Sequence, residues 1–119
     1  MNSSLAQPLH LPCGHTLPNR LGKSAMTEGL ADAHGRPTHA HSTLYKTWSE
    51  GGTGLLLTGN VMIDGRYLER AGNVVLEDDR ALPLFSAWAE AAQSAGSDCW
   101  VQLSHPGRQC PRLVNNHPL

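Results

Sequence analysis

The stretch Thr38-His39-Ala40-His41-Ser42-Thr43-Leu44-Tyr45-Lys46-Thr47-Trp48-Ser49-Glu50-Gly51-Gly52-Thr53-Gly54-Leu55-Leu56-Leu57-Thr58 changes its hydrophobic period midway. In its first half His41, Leu44, Tyr45 and Trp48 fall at i, i+3, i+4 and i+7 and so line one face of a helix. Pro37 and Thr38 are a start signal, and Gly51-Gly52 a stop. In its second half Gly54 to Thr58 is a continuous apolar run of strand length. A strand apolar on both faces is buried on both faces, as in parallel sheets.

The same alternation continues outward from this stretch. Downstream, a long connection runs from Asn60 to Arg80. A second helix is expected from Leu82-Pro83, because proline is tolerated in the first turn. Phe85, Trp88, Ala89 and Ala92 share its face, and Gly96 stops it. Cys99 to Leu103 reads as a third strand. Upstream, Leu21 to Met26 is the first strand, weakened by Gly22 and Lys23, and a polar loop follows from Thr27 to Pro37. Before it, Pro8 to Leu11 and His15 to Leu17 form a small hairpin around Pro12-Cys13-Gly14. Strand, helix, strand, helix, strand implies parallel strands with right-handed crossovers, hence an α/β fold.

Composition narrows the function classes. The chain has 119 residues, room for one modest domain. Nine Lys and Arg against ten Asp and Glu leave a net charge of −1, which argues against a nucleic-acid partner. No run of like charge suits a membrane surface, and no apolar segment approaches the ~20 residues a span needs. The first eighteen residues contain no Lys or Arg and no long apolar core, so no secretory signal is expected. Cys13, Cys99 and Cys110 are too few and too scattered for a disulfide scaffold. The expected compartment is the cytoplasm.

In parallel α/β folds the chemistry gathers at the carboxyl ends of the strands. Those ends carry Ser24, Ala25, Met26 and Thr27; then Thr58, Gly59 and Asn60; then Gln102, Ser104 and His105. Gln102 interrupts an apolar run. Buried without partners, a primary amide costs roughly 1–3 kcal/mol. Either neighbouring backbone or a flat ring edge with an N–H beside a C=O would satisfy it.

Other signals read as structural. His34, His39 and His41 lack the spacing of a zinc site, and no CxxC or HExxH is present, so they are solvated or capping. No metal is expected. Gly51 to Gly54 follows a helix and precedes a strand, the reverse of a dinucleotide-binding turn. Cys99 opens an apolar strand and reads as core, whereas Cys13 and Cys110 read as exposed thiols. His105 reads either as a catalytic base or as a residue that shapes its loop, and Arg108 either as a phosphate ligand or, more simply, as the partner of an ion pair that steadies the loop.

Leu17-Pro18-Asn19-Arg20, Gly54-Leu55-Leu56-Leu57-Thr58-Gly59 and above all Val101-Gln102-Leu103-Ser104-His105-Pro106-Gly107-Arg108-Gln109 resemble the old yellow enzyme family. These are FMN-dependent NAD(P)H oxidoreductases and ene-reductases on a (β/α)8 barrel. The resemblance runs from about Leu11 to the end. A complete barrel of this kind takes about 250 residues and eight strands. Residues 1–119 therefore resemble the N-terminal portion of one, with about three parallel strands and two helices after a short hairpin.

The resemblance implies roles for particular residues. Ser24, Ala25, Met26 and Thr27 match the segment that contacts FMN after the first strand. Thr27 stands where the family places a Thr or Cys near the flavin carbonyl and N5, so it is the candidate catalytic residue. Gly59 matches the small residue whose backbone lies against the flavin. Gln102 matches the amide that pairs with the pyrimidine edge of the ring. Gly29 stands where one branch of the family has a substrate-contacting tyrosine, and Ala25 where proline is frequent. The family's substrate-holding His pair and its phosphate site fall beyond residue 119. The implied reaction takes hydride from NAD(P)H through FMN to a small-molecule acceptor such as an activated alkene. Homo-oligomers are the association left open. The alternative is an inactive barrel remnant that associates with another chain.

Overall fold

The computed structural model describes residues 3–115. Helix α1 (His39–Glu50) begins at Thr38, whose extended backbone lets its N–H donate to His41 Nδ1 at 3.1 Å. A free helix-terminal N–H is thereby satisfied by the third residue of the helix, the logic of a capping box. One helical stripe is fully buried: His41, Tyr45 and Ser49. Leu44 and Trp48, expected on the same face, flank that stripe and are partly buried against the core.

Strand β1 (Leu9–His10) pairs antiparallel with β2 (Thr16–Leu17), giving the expected hairpin, and Gly14 takes φ +89 in its turn. The parallel sheet comprises β3 (Gly22–Lys23), β4 (Leu55–Met62), β5 (Val74–Val75) and β6 (Asp98–Ser104). Helix α2 (Leu82–Gln93) has Pro83 in its first turn and buries Trp88 and Ala92. Both helices pack on one face of the sheet. Tyr45, Leu56, Val61, Val74, Trp88 and Ala92 form the core between them. Burying each large apolar side chain contributes roughly 1.5–3 kcal/mol. Trp88 sits edge-on to Tyr45 and tilted against His41.

Three elements differ from the sequence reading. β4 runs on to Met62, so Asn60 to Met62 belong to the strand and not to the connection after it. The first strand is two residues long, not six; beyond Lys23 the chain leaves the ladder and runs as irregular extended backbone through Thr27. The connection after β4 also contains a strand, β5, that two valines did not announce. β6 pairs along most of β4, so β3 and β5 share the opposite edge: β3 at Leu55 and Leu56, β5 at Val61 and Met62.

Two polar devices lock the amino ends of the strands. Asn19 donates through its side chain to the Gly52 carbonyl at 2.8 Å and accepts from the Leu21 N–H at 3.0 Å. A Cβ on Gly54 would meet Asn19 Oδ1 at 2.5 Å, so only glycine fits. His15 Nε2 lies 3.0 Å from Asp98 Oδ1 and ties the hairpin to the start of β6.

Candidate active site

Residues Thr58 and Gly59 of β4 stand opposite the single residue Val101 of β6, a bulge in the ladder. Such bulges bend a strand and re-aim its side chains. The Thr58 hydroxyl fills the gap: it accepts from the Gln102 N–H at 3.0 Å and donates to the Gly59 carbonyl at 2.9 Å. Past the bulge Asn60 pairs with Gln102, Val61 with Leu103 and Met62 with Ser104. Paired residues project to one face, so Asn60 and Gln102 stand side by side, away from the helices.

Gln102 is exposed, not buried as its apolar neighbours implied. Its neighbours Trp100, Val101 and Leu103 are 44%, 51% and 62% exposed, because no described element covers this strand. Its side-chain partner is Asn60, not backbone: Nε2 donates to Asn60 Oδ1 at 2.5 Å. Asn60 Nδ2 in turn donates to Glu69 Oε2 at 3.4 Å, and Thr27 Oγ1 donates to the same oxygen at 3.3 Å. The segments at the carboxyl ends of β3, β4 and β6 are thus joined through one carboxylate. Burial raises the Glu69 pKa, but hydrogen bonds from Arg70, Asn73 and Asn60 outweigh it, and the net shift is downward. Glu69 is ionised at neutral pH.

Behind this cluster lies a second carboxylate. Glu28 Oε1 accepts from the Gly59 N–H at 2.9 Å and from the hydroxyl of fully buried Tyr45. Burial, reinforced by Glu28, pushes the Tyr45 phenol far above its usual range. Lys23 lies over the rings of Tyr45 and Trp48, and burial draws its pKa down. A Cβ on Gly59 would fall 2.4 Å from the Met26 carbonyl and 2.6 Å from Thr27 Cα. The first use of glycine here is therefore to let the segment from Met26 to Glu28 cross β4.

A profile of the NADH:flavin oxidoreductase / NADH oxidase family matches residues 4–118. The chain belongs to this family. Among its relatives is NADH-dependent flavin oxidoreductase iliE of Hypocrea jecorina, 41% identical over 114 residues, 92% of this chain and 28% of the relative. The old yellow enzyme homologue of Zymomonas mobilis superimposes with a TM-score of 0.82 at 24% identity, over 94% of this chain and 31% of that one. Morphinone reductase in complex with tetrahydroNAD gives 0.81 at 23% identity, over 96% and 30%. The chain spans under a third of the length of each. The fold is accordingly part of an α/β barrel with an N-terminal hairpin.

Thr27, Gly59 and Gln102 converge at one end of the sheet, through Asn60, Glu28 and Glu69. Ser24, Ala25 and Met26 follow the short β3 as extended chain; Ser24 and Met26 are exposed and Ala25 is half-buried. Sequence reading missed Glu69 and Glu28. Glu28 adjoins Thr27, a signal that was present; Glu69 sits in a long connection with no periodic pattern. His105 does shape its loop, accepting the Gly107 N–H at 3.0 Å and tilting against Tyr67. Arg108 forms no ion pair among the described residues, contrary to expectation. Cys110 is half-buried, with its thiol 3.7 Å from the Leu68 carbonyl, so only Cys13 is an exposed thiol. Cys99 packs against the core, and burial raises its thiol to about 11. His41 is a capping histidine, as read. Among the described residues no three His, Cys, Asp or Glu side chains are grouped to hold a metal, and no helix is long and apolar enough to cross a membrane.

Proposed function

We propose that this chain supplies the ring-edge portion of an FMN site in an oxidoreductase that passes hydride from NAD(P)H to a small-molecule acceptor such as an activated alkene. One observation carries this reading: the amide of Gln102 stands beside Asn60 at the carboxyl end of the sheet, with the Gln102 oxygen free of partners among the described residues. An exposed amide with an unengaged oxygen and one remaining N–H suits an edge that offers an N–H beside a C=O. The residues present therefore fit the ring. Arg66 and Arg70, at this end, are held by Asp64 and Glu69 and are assigned no phosphate role.

FMN, when bound, supplies a ring that accepts and releases hydride. The chain's own residues hold and tune that ring. Gln102 grips its polar edge. Thr27 presents a hydroxyl oxygen, its proton engaged by Glu69, and serves as the catalytic residue at the ring. Gly59 lets the segment from Met26 to Glu28 lie across β4 and so sets the floor of the site. The three free thiols suit a reducing, cytoplasmic compartment.

Anaerobic titration tests the reading. The purified protein is expected to retain or take up FMN and to bleach on adding NADH or NADPH. Gln102→Leu is expected to weaken FMN binding roughly tenfold, the equivalent of about 1.4 kcal/mol. Protein that never takes up FMN, or a Q102L variant that binds it unchanged, overturns the proposal.

A second reading is favoured by β6, whose outer edge is unpaired among the described residues and which exposes Trp100, Val101 and Leu103. Open apolar edges pair with other strands. On this reading the chain associates with another chain and does not itself catalyse. Sedimentation at several concentrations decides it: a monomer that binds FMN excludes this reading.

A further inference from the structure

We infer that Glu69 is a positioning residue that dictates which atoms of Gln102 and Thr27 face the ligand. The inference rests on the flavin reading above and goes beyond it by naming the group that sets the polarity of the site.

An ionised carboxylate can only accept hydrogen bonds. Glu69 Oε2 faces Thr27 Oγ1 at 3.3 Å, Asn60 Nδ2 at 3.4 Å and Asn73 Nδ2 at 3.5 Å. Asn60 must therefore turn its NH2 toward Glu69, which turns its oxygen toward Gln102. Only a donor satisfies that oxygen, so Gln102 must turn its own NH2 inward, and does so at 2.5 Å. What remains for a ligand is the Gln102 oxygen and one N–H. By the same constraint Thr27 gives its only proton to Glu69 and keeps lone pairs for the ligand. A site polarised this way takes a ring edge whose N–H meets the Gln102 oxygen. Reversing both amides would present an NH2 there and repel that N–H.

Glu69 is itself held rigidly. Its N–H and that of Arg70 donate to the Oδ1 of buried Asn73 at 2.9 and 2.8 Å. Arg70 takes the other carboxylate oxygen, with Nη2 at 2.9 Å and Nε at 3.0 Å. The loop is further tied to the segment after β3 by the Ala31 N–H on the Gly72 carbonyl at 3.1 Å. The carboxylate thus has one placement and one polarity.

The variant Glu69→Gln keeps the shape and removes the acceptor-only constraint. FMN and 3-methyl-FMN, in which the ring N–H is replaced by N–CH3, are the probes. Wild-type protein is expected to prefer FMN by roughly tenfold or more. In E69Q that preference should fall severalfold at unchanged Tm, and Glu69→Asp should restore part of it. An E69Q preference equal to wild type overturns the inference. If E69Q does not fold, amide NOEs in 15N-labelled wild-type protein decide. Asn60 NH2 protons near the Glu69 methylenes support the inference, and the reversed orientation overturns it. Wild-type protein that binds neither probe overturns the flavin reading, and with it the role given to Glu69, whereas the NOE pattern reports on the amides alone.

Discussion

The hydroxyl of Tyr45 on α1 donates to the carboxylate of Glu28, which lies just past the first parallel strand. The same carboxylate oxygen takes the Gly59 N–H at 2.9 Å. One acidic side chain therefore stands in for the ladder partner that β3 does not provide at the bulge. Removing it leaves a buried hydroxyl and a strand N–H unpaired. Glu28→Ala is expected to cost about 2–4 kcal/mol, and Tyr45→Phe only about 1 kcal/mol, because Glu28 then keeps one donor. Urea unfolding followed by circular dichroism checks the order of the two. The idea fails if Y45F is the more damaging.

Gly59 and Gly14 separate two reasons for glycine. A methyl group at 59 would fall 2.4 Å from the Met26 carbonyl, whereas at Gly14 nothing lies within 4 Å and only the φ of +89 resists. Gly14→Ala should cost roughly 1 kcal/mol of backbone strain. Gly59→Ala must displace the segment carrying Thr27, and should cost about 2–3 kcal/mol as overpacking does. Thermal melts of the two variants test the difference; equal losses would remove the close crossing as the explanation.

Burial draws the pKa of His41 below its ordinary 6.5, against the opposing pull of Glu28. The neutral ring is also required because Nδ1 accepts the Thr38 N–H. The unfolded chain takes up a proton at 6.5 and the folded chain does not. Stability is therefore full above 6.5, falls as pH drops below it, and levels once the folded ring titrates. His41→Gln keeps an acceptor for the cap and should flatten this dependence between pH 7.5 and 5. Urea midpoints at the two pH values are the measurement, and an undiminished slope in H41Q would assign the effect elsewhere.

The thiols should react in order of access. Cys13 is exposed, Cys110 half-buried, and Cys99 packs against the core with its pKa raised by burial to about 11. Since the thiolate is the reactive form, Cys99 should remain unmodified at pH 8 in the folded protein. Peptide mapping after brief alkylation, with and without urea, reads this directly. Rapid labelling of Cys99 in the native state would mean that β6 opens easily.

Both helices and the two longer parallel strands were determined by the sequence alone. Their signals are local: a 3.6-residue period in Tyr45 and Trp48, or in Trp88 and Ala92, and the unbroken Leu55-Leu56-Leu57. The Val101 to Gln109 motif likewise pointed to the family that the profile match over residues 4–118 then showed. Tertiary structure alone decided the bulge at Thr58-Gly59, the brevity of β3, and the pairing of Val74 and Val75 with the end of β4. It alone brought Glu69 to Thr27 and Asn60, 42 and 9 residues away along the chain. Periodicity reports which face of an element is apolar. It carries no record of which carboxylate in an irregular loop folds back over a strand tip, because that placement is set by contacts between distant segments.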